Sequence, residues 1–319
     1  MDIVRFRWSV QIMSFFILLY GAYVGIHVGL FLPTFSCCFV DSRTATCFML
    51  NLQDGLGMFT PRSMGILLEN ILIFSVMVII AGRAWCGWIC PMGFLQDVMD
   101  YLRVKSSIGF VRFSDRVQRK LRWCKWIFLS IAVLFPLWVA FPFFCPAASS
   151  GFDIAFCRIC PGRFFFSLLS GNTGRIAFDP RSVSSMILTI LGLAISMIVF
   201  VGSFVKRRFW CAFCPLGLIM SWYRKIAFFK LKKDDSKCTK CEICYNVCPL
   251  DIEEIYKTSG KIDVTFPDCI LCLKCIEKCP EERALYATFL GKTIYKSSSD
   301  KFFKSSSLCK TACRGGCNE

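Results

Sequence analysis

Four long apolar stretches constrain this 319-residue chain more than any other feature. They cover about residues 9–32, 64–82, 126–144 and 183–205. Each is long enough to cross a hydrocarbon core of roughly 30 Å. Lipid offers the backbone no hydrogen-bond partner, so continuous apolar runs of this length read as transmembrane helices. The composition agrees: 55% of residues are hydrophobic and the mean hydropathy is +0.55, too apolar for an ordinary soluble domain. The first run outlasts a signal-peptide core and lacks a small-residue cleavage site, so it reads as an uncleaved span.

The linkers between the runs set the expected orientation. Arg5 and Arg7 precede the first run, and residues 83–125 carry a dense set from Arg83 to Lys125. Lys206, Arg207 and Arg208 follow the fourth, whereas 33–63 and 145–182 are poor in Lys and Arg. The positive-inside rule then puts both termini and the central loop in the cytoplasm, with the protein a multi-pass cytoplasmic-membrane protein. The net charge of +16 reads the same way, with attraction to anionic lipid or an acidic redox partner and no call for nucleic acid.

The membrane part reads as a duplication. Phe59-Thr60-Pro61-Arg62-Ser63 before the second run is echoed by Phe178-Asp179-Pro180-Arg181-Ser182 before the fourth. Trp85-Cys86-Gly87-Trp88-Ile89-Cys90-Pro91 after the second is echoed by Trp210-Cys211-Ala212-Phe213-Cys214-Pro215 after the fourth. Two spans per half keep the halves parallel, which gathers Cys86, Cys90, Cys211 and Cys214 on the inner face. Four thiolates there suit a further iron–sulfur cluster or a tetrahedral metal. A redox dithiol and a purely structural turn are the other readings.

Near the C-terminus two matching runs appear. Cys238, Cys241, Cys244 and Cys248-Pro249 form one, and Cys269, Cys272, Cys275 and Cys279-Pro280 the other. Both are the C-x2-C-x2-C-x3-C-P spacing of bacterial two-cluster ferredoxins, in which the fourth Cys ligates the other cluster. Cluster I is therefore assigned Cys238, Cys241, Cys244 and Cys279, and cluster II Cys269, Cys272, Cys275 and Cys248. Two [4Fe–4S] clusters follow as cofactors, and 22 cysteines in such a chain argue for metal over a disulfide scaffold.

The remaining candidates are less determined. The outer loops hold Cys37, Cys38, Cys47, Cys145, Cys157 and Cys160, read either as disulfides or as an outer cluster on Cys38, Cys145, Cys157 and Cys160. One or two further clusters are thus candidates beyond the ferredoxin pair. His27 is the only histidine, which excludes bis-histidine haem within this chain. With Glu69 at similar depth it forms a candidate outer quinone site, because quinol oxidation needs a proton acceptor. The alternative leaves both residues as satisfied interfacial groups. Cys309, Cys313 and Cys317 are regularly spaced, without a fourth ligand nearby.

The expected fold is an α-helical membrane protein of four transmembrane helices in two parallel two-helix repeats, with a small α+β two-[4Fe–4S] ferredoxin domain. The expected segments are a first repeat (1–92), a basic cytoplasmic linker (93–125), a second repeat (126–217), an interfacial amphipathic segment (218–235), the ferredoxin domain (236–290) and a Lys/Ser-rich tail (291–319).

Four spans, two inner Cys-Pro boxes and a C-terminal two-cluster module together resemble the NapH/NosR/CcoG-type membrane ferredoxins, or quinol dehydrogenase membrane components. The resemblance covers about residues 1–285 and places Cys86, Cys90, Cys211 and Cys214 at the family's box positions. It implies an electron-transfer subunit of a respiratory or redox complex, linking cytoplasmic clusters to the quinone pool or carrying electrons across the membrane. Implied partners are other subunits of that complex, a quinone or quinol, and a periplasmic or extracytoplasmic redox protein. Two rival functions are a metal-reducing or oxidase-maturation ferredoxin and a membrane anchor for a redox partner. The second box departs from the family pattern, with two residues between its cysteines in place of three.

Overall fold

A computed structural model of the chain describes residues 2–25, 47–58, 60–109, 111–112, 115–140, 152, 154–171, 183–300 and 302. His27, Cys37, Cys38, Cys145, Cys309, Cys313 and Cys317 lie outside the described residues. Among the described residues four helices are long and apolar enough to span a membrane: Ile3–Tyr20, Pro61–Ala81, Lys120–Ala140 within the longer helix Asp115–Ala140, and Val183–Val205.

The first of these starts six residues before the apolar run. Asp2 caps it, accepting from the Val4 and Arg5 amides at 3.1 and 3.4 Å. Arg5 and Arg7 are consequently helical, and Arg7 is fully buried. The second span begins as its sequence dictates, with Thr60 and Ser63 forming a reciprocal capping box around Pro61. The fourth span coincides with its apolar run.

The segments between spans do not stay outside the bundle. Helix Phe48–Met58 packs along the second and third spans. Helices Ala155–Ile159 and Pro161–Leu169 pack against the fourth span, and their apolar residues join the main core. Gly192 makes this insertion possible. A Cβ there would stand 2.6 Å from the Arg158 carbonyl oxygen. Gly192 lies nine residues into a 23-residue helix, about 14 Å from its start, so the inserted turn reaches mid-bundle. A short helix and the turn that ends it are tolerated at such depth where protein surrounds them.

The expected interfacial segment is divided. Pro215–Trp222 is a helix on the core, while Phe229–Lys233 is strand β1 of a three-stranded antiparallel sheet. β1 pairs with β2 (Leu285–Phe289), and β2 pairs with β3 (Lys292–Lys296), so the sheet closes the ferredoxin fold from both ends.

The ferredoxin fold sits where the first span starts and the second and fourth end. Ile3 and Ala84 belong to its apolar core. Ion pairs fix it there: Lys206–Asp251 at 3.1 Å, nearly buried, and Asp268 with Arg122 and Lys125 at 3.0 and 2.5 Å.

Candidate metal centres

Two of the cavities are built from the twin cysteine runs. One, with about 370 Å³ of empty volume, is lined by Cys238, Cys241, Cys244 and Cys279. The other, also about 370 Å³, is lined by Cys248, Cys269, Cys272 and Cys275. These are the two expected quartets, including the exchange of the fourth cysteine between runs. The backbone explains the shape of each loop. Lys240 and Glu242 flank Cys241 at φ 55° and 61°, and Leu271 and Leu273 flank Cys272 at φ 50° and 59°. Left-handed non-glycine residues each cost free energy, on the order of 1–3 kcal/mol. Their recurrence at equivalent positions curls successive amides inward, as an anion-binding nest requires.

Burial pushes the Cys244, Cys248 and Cys269 thiols up to about 12. Such thiols stay neutral at pH 7 until a metal takes the charge. Among the described residues no three His, Cys, Asp or Glu side chains could hold a single metal ion. The quartets instead each ring a cavity, an arrangement that fits a [4Fe–4S] cluster.

A third cavity lies inside the helical bundle, with an empty volume of about 920 Å³. Cys86, Cys90, Cys211 and Cys214 line it, so the two boxes do meet. Cys90 and Cys214 each precede a proline that opens a helix, and both have extended backbone at the N-cap. Proline suits the first helical position because it lacks an N–H that would go unpaired there. Thiolates at these positions face positive helix ends.

Buried charge holds the first box. Arg208 donates to both Asp97 carboxylate oxygens at 3.0 and 2.6 Å and to the Cys86 carbonyl at 2.8 Å. Arg7 lies 3.3 Å from the same carboxylate. Gln11 donates to Asp97 and to the Gly87 carbonyl, both at 3.0 Å. Burial alone would raise the Asp97 carboxyl; Arg208 and Arg7 outweigh it and hold the group below the usual carboxylate range. Arg83, which also lines the cavity, adds positive charge beside these thiols. A cluster with four thiolates is anionic, and this surround suits it.

The same cavity is lined by Cys157 and Cys160, two of the four expected outer ligands, and by Cys47, which that set omitted. The inserted turn carries them inward. Cys38 and Cys145 lie outside the described residues. Cys47 had a legible signal: Cys47-x-Met49-x3-Gln53 matches Cys90-Pro91-Met92-x3-Gln96. Glu69 is exposed on the second span and does not line this cavity.

Comparison with known proteins agrees with this chemistry. A 4Fe-4S binding domain family matches twice, at residues 68–109 and 188–234, the two span-and-box units. A 4Fe-4S dicluster domain family matches residues 230–280. An uncharacterized protein of Methanocaldococcus jannaschii is 29% identical over 69% of this chain and 78% of its own length. The methylamine utilization ferredoxin-type protein MauN of Methylorubrum extorquens is 28% identical over 67% and 64%. The ferredoxin-type protein NapH of Escherichia coli is 22% identical over 86% and 88%. No solved structure matches. With four membrane-length helices among the described residues, two box units and a two-cluster module, the chain is an iron–sulfur electron-transfer protein of the membrane, and its relatives support a NapH-type polyferredoxin family.

Proposed function

We propose that this protein is the membrane relay subunit of a redox complex, joining the two ferredoxin clusters to a further cluster on Cys86, Cys90, Cys211 and Cys214. The carrier beyond is a quinone or a partner subunit's cofactor. One observation carries this reading: the loop of cluster II lies on the first box. The Trp88 indole N–H donates to the Leu271 carbonyl at 3.0 Å. A Cβ on Gly87, between Cys86 and Cys90, would stand 2.4 Å from the Ile270 carbonyl oxygen and 3.6 Å from the Cys272 Cα. Only glycine permits that approach. Bound clusters supply reversible one-electron storage; the chain fixes their spacing and keeps water away.

The basic residues of the ferredoxin side support a cytoplasmic orientation, and several of them also bind the module's acids. Glu69, with His27, is the proposed proton acceptor for a quinol.

Iron and acid-labile sulfide, measured on anaerobically purified protein, test the central claim. At least about twelve irons per chain are expected, falling by about four in Cys86→Ala and Cys211→Ala. About eight irons in both the parent and the variants would confine the clusters to the ferredoxin module. Stoichiometric zinc or copper at the boxes would favour a metal-handling role. Reduction of the clusters by a quinol analogue, slowed in Glu69→Gln, supports the quinol site; an unchanged rate removes Glu69 from it.

A further inference from the structure

We infer that the bundle contains a second membrane iron–sulfur site, deeper than the boxes, with Cys47, Cys157 and Cys160 as ligands and Gln53 as a positioning residue. The inference rests on the box cluster proposed above and extends the relay toward mid-membrane. Each half of the reading has its own readout.

The first support is a repeated hydrogen-bond device. Gln96 accepts from the Trp210 amide at 2.7 Å, the residue before Cys211, and its side-chain N–H lies 3.8 Å from the Cys211 sulfur. Gln53 accepts from the Phe156 amide at 3.0 Å, the residue before Cys157, and donates to the Cys157 sulfur at 3.0 Å. Each glutamine also donates to the carbonyl four residues back, Met92 at 3.2 Å and Met49 at 2.9 Å. Both glutamines are essentially buried. A buried amide aimed at sulfur is best satisfied by a thiolate, and thiolate is the ligand form.

The second support is placement at helix ends. Cys160 precedes Pro161 and caps a nine-residue helix with extended backbone, as Cys90 and Cys214 do for theirs. The Cys47 carbonyl accepts from the Leu50 and Asn51 amides at 3.0 and 3.2 Å, so Cys47 likewise opens helix Phe48–Met58.

The third support is a shared lining: one bundle cavity is lined by Cys47, Cys157 and Cys160 as well as by the four box cysteines. The described residues supply three of the four thiolates that a [4Fe–4S] cluster takes. Electron exchange with the box cluster oxidises one and reduces the other, with no bond made and no proton moved.

Anaerobically purified full-length protein is the material for the test. The parent should bind about sixteen irons. Cys157→Ala and Cys160→Ala should each lower this by about four and remove one electron paramagnetic resonance signal, leaving the box and ferredoxin signals. Gln53→Leu should keep all the iron and move one signal alone to lower potential; Gln96→Leu should move a different one. About twelve irons in the parent, unchanged in Cys157→Ala, would overturn the deep site while sparing the box cluster. A Cys157–Cys160 disulfide found by mass spectrometry of the parent would also overturn it. Loss of the box signal in Cys86→Ala, with the deep signal retained, separates the two sites.

Discussion

The ferredoxin module and the bundle cavity collect cysteines by opposite means. In the module each quartet comes from two short runs, and the loop around each is shaped by its own left-handed residues, Lys240 and Glu242 or Leu271 and Leu273. In the bundle the cysteines come from segments between Cys47 and Cys214, brought together by tertiary packing and by buried charge around Asp97. A site built by local backbone tolerates change elsewhere. A site built by packing inherits the weaknesses of every contact that assembles it.

Asp97→Asn should break that contrast open with the largest effect. Arg208 and Arg7 would remain buried without their counter-charge, at a cost of about 3–5 kcal/mol. Arg208 also holds the Cys86 carbonyl, so the box should lose its cluster while the ferredoxin signals persist. Equal loss of both would show that the two regions fold as one unit. Acid provides the same test. The folded Asp97 carboxyl lies below its ordinary value of 3.8, so its contribution is complete above that pH and is lost as pH falls further. Stability of the parent to denaturant should therefore decline with acid below about pH 3.8, and this component of the pH dependence should vanish in Asp97→Asn.

The same contrast explains what the sequence made legible. The gathering of the ferredoxin cysteines into two quartets was readable because it follows from spacing alone. The meeting of the boxes was readable from the internal repeat. The inward position of Cys157 and Cys160 was not, because it depends on Gly192 accepting a backbone turn against a helix that reads only as apolar. Arg7 was equally opaque. By position it is a flanking positive charge, and only Asp97, 90 residues on, reveals it as a structural ion. Several basic residues assigned to orientation alone also dock the ferredoxin through Asp251 and Asp268.

Gly87→Val sharpens the comparison at the junction of the two regions. The added side chain meets the Ile270 carbonyl, at a cost of about 1–3 kcal/mol, and must push the cluster II loop off the box. Both quartets keep their ligands, so iron content should hold. Electron exchange between cluster II and the box should slow by at least about tenfold, read by rapid-freeze spectroscopy, if the added separation costs 1.4 kcal/mol or more of activation free energy, roughly. Unchanged exchange would mean that electrons take another route.

Asp268→Asn should have the smallest effect, and its salt dependence is the discriminating feature. Asp268 meets Arg83, Arg122 and Lys125, as Asp97 meets Arg208 and Arg7, but its side chain is 20% exposed and Arg122 is 47% exposed. Water already reaches this cluster of charges. The loss should be about 1–2 kcal/mol, seen as faster hydrogen exchange where Lys125 and Asp268 meet. Raising the ionic strength to about 1 M shortens the screening length to about 3 Å, so the parent should move toward the variant. Asp97 and its arginines are closed to solvent, so the deficit of Asp97→Asn should persist under the same salt. If both deficits respond to salt alike, burial does not distinguish the charges that assemble the bundle site from those that dock the module onto it.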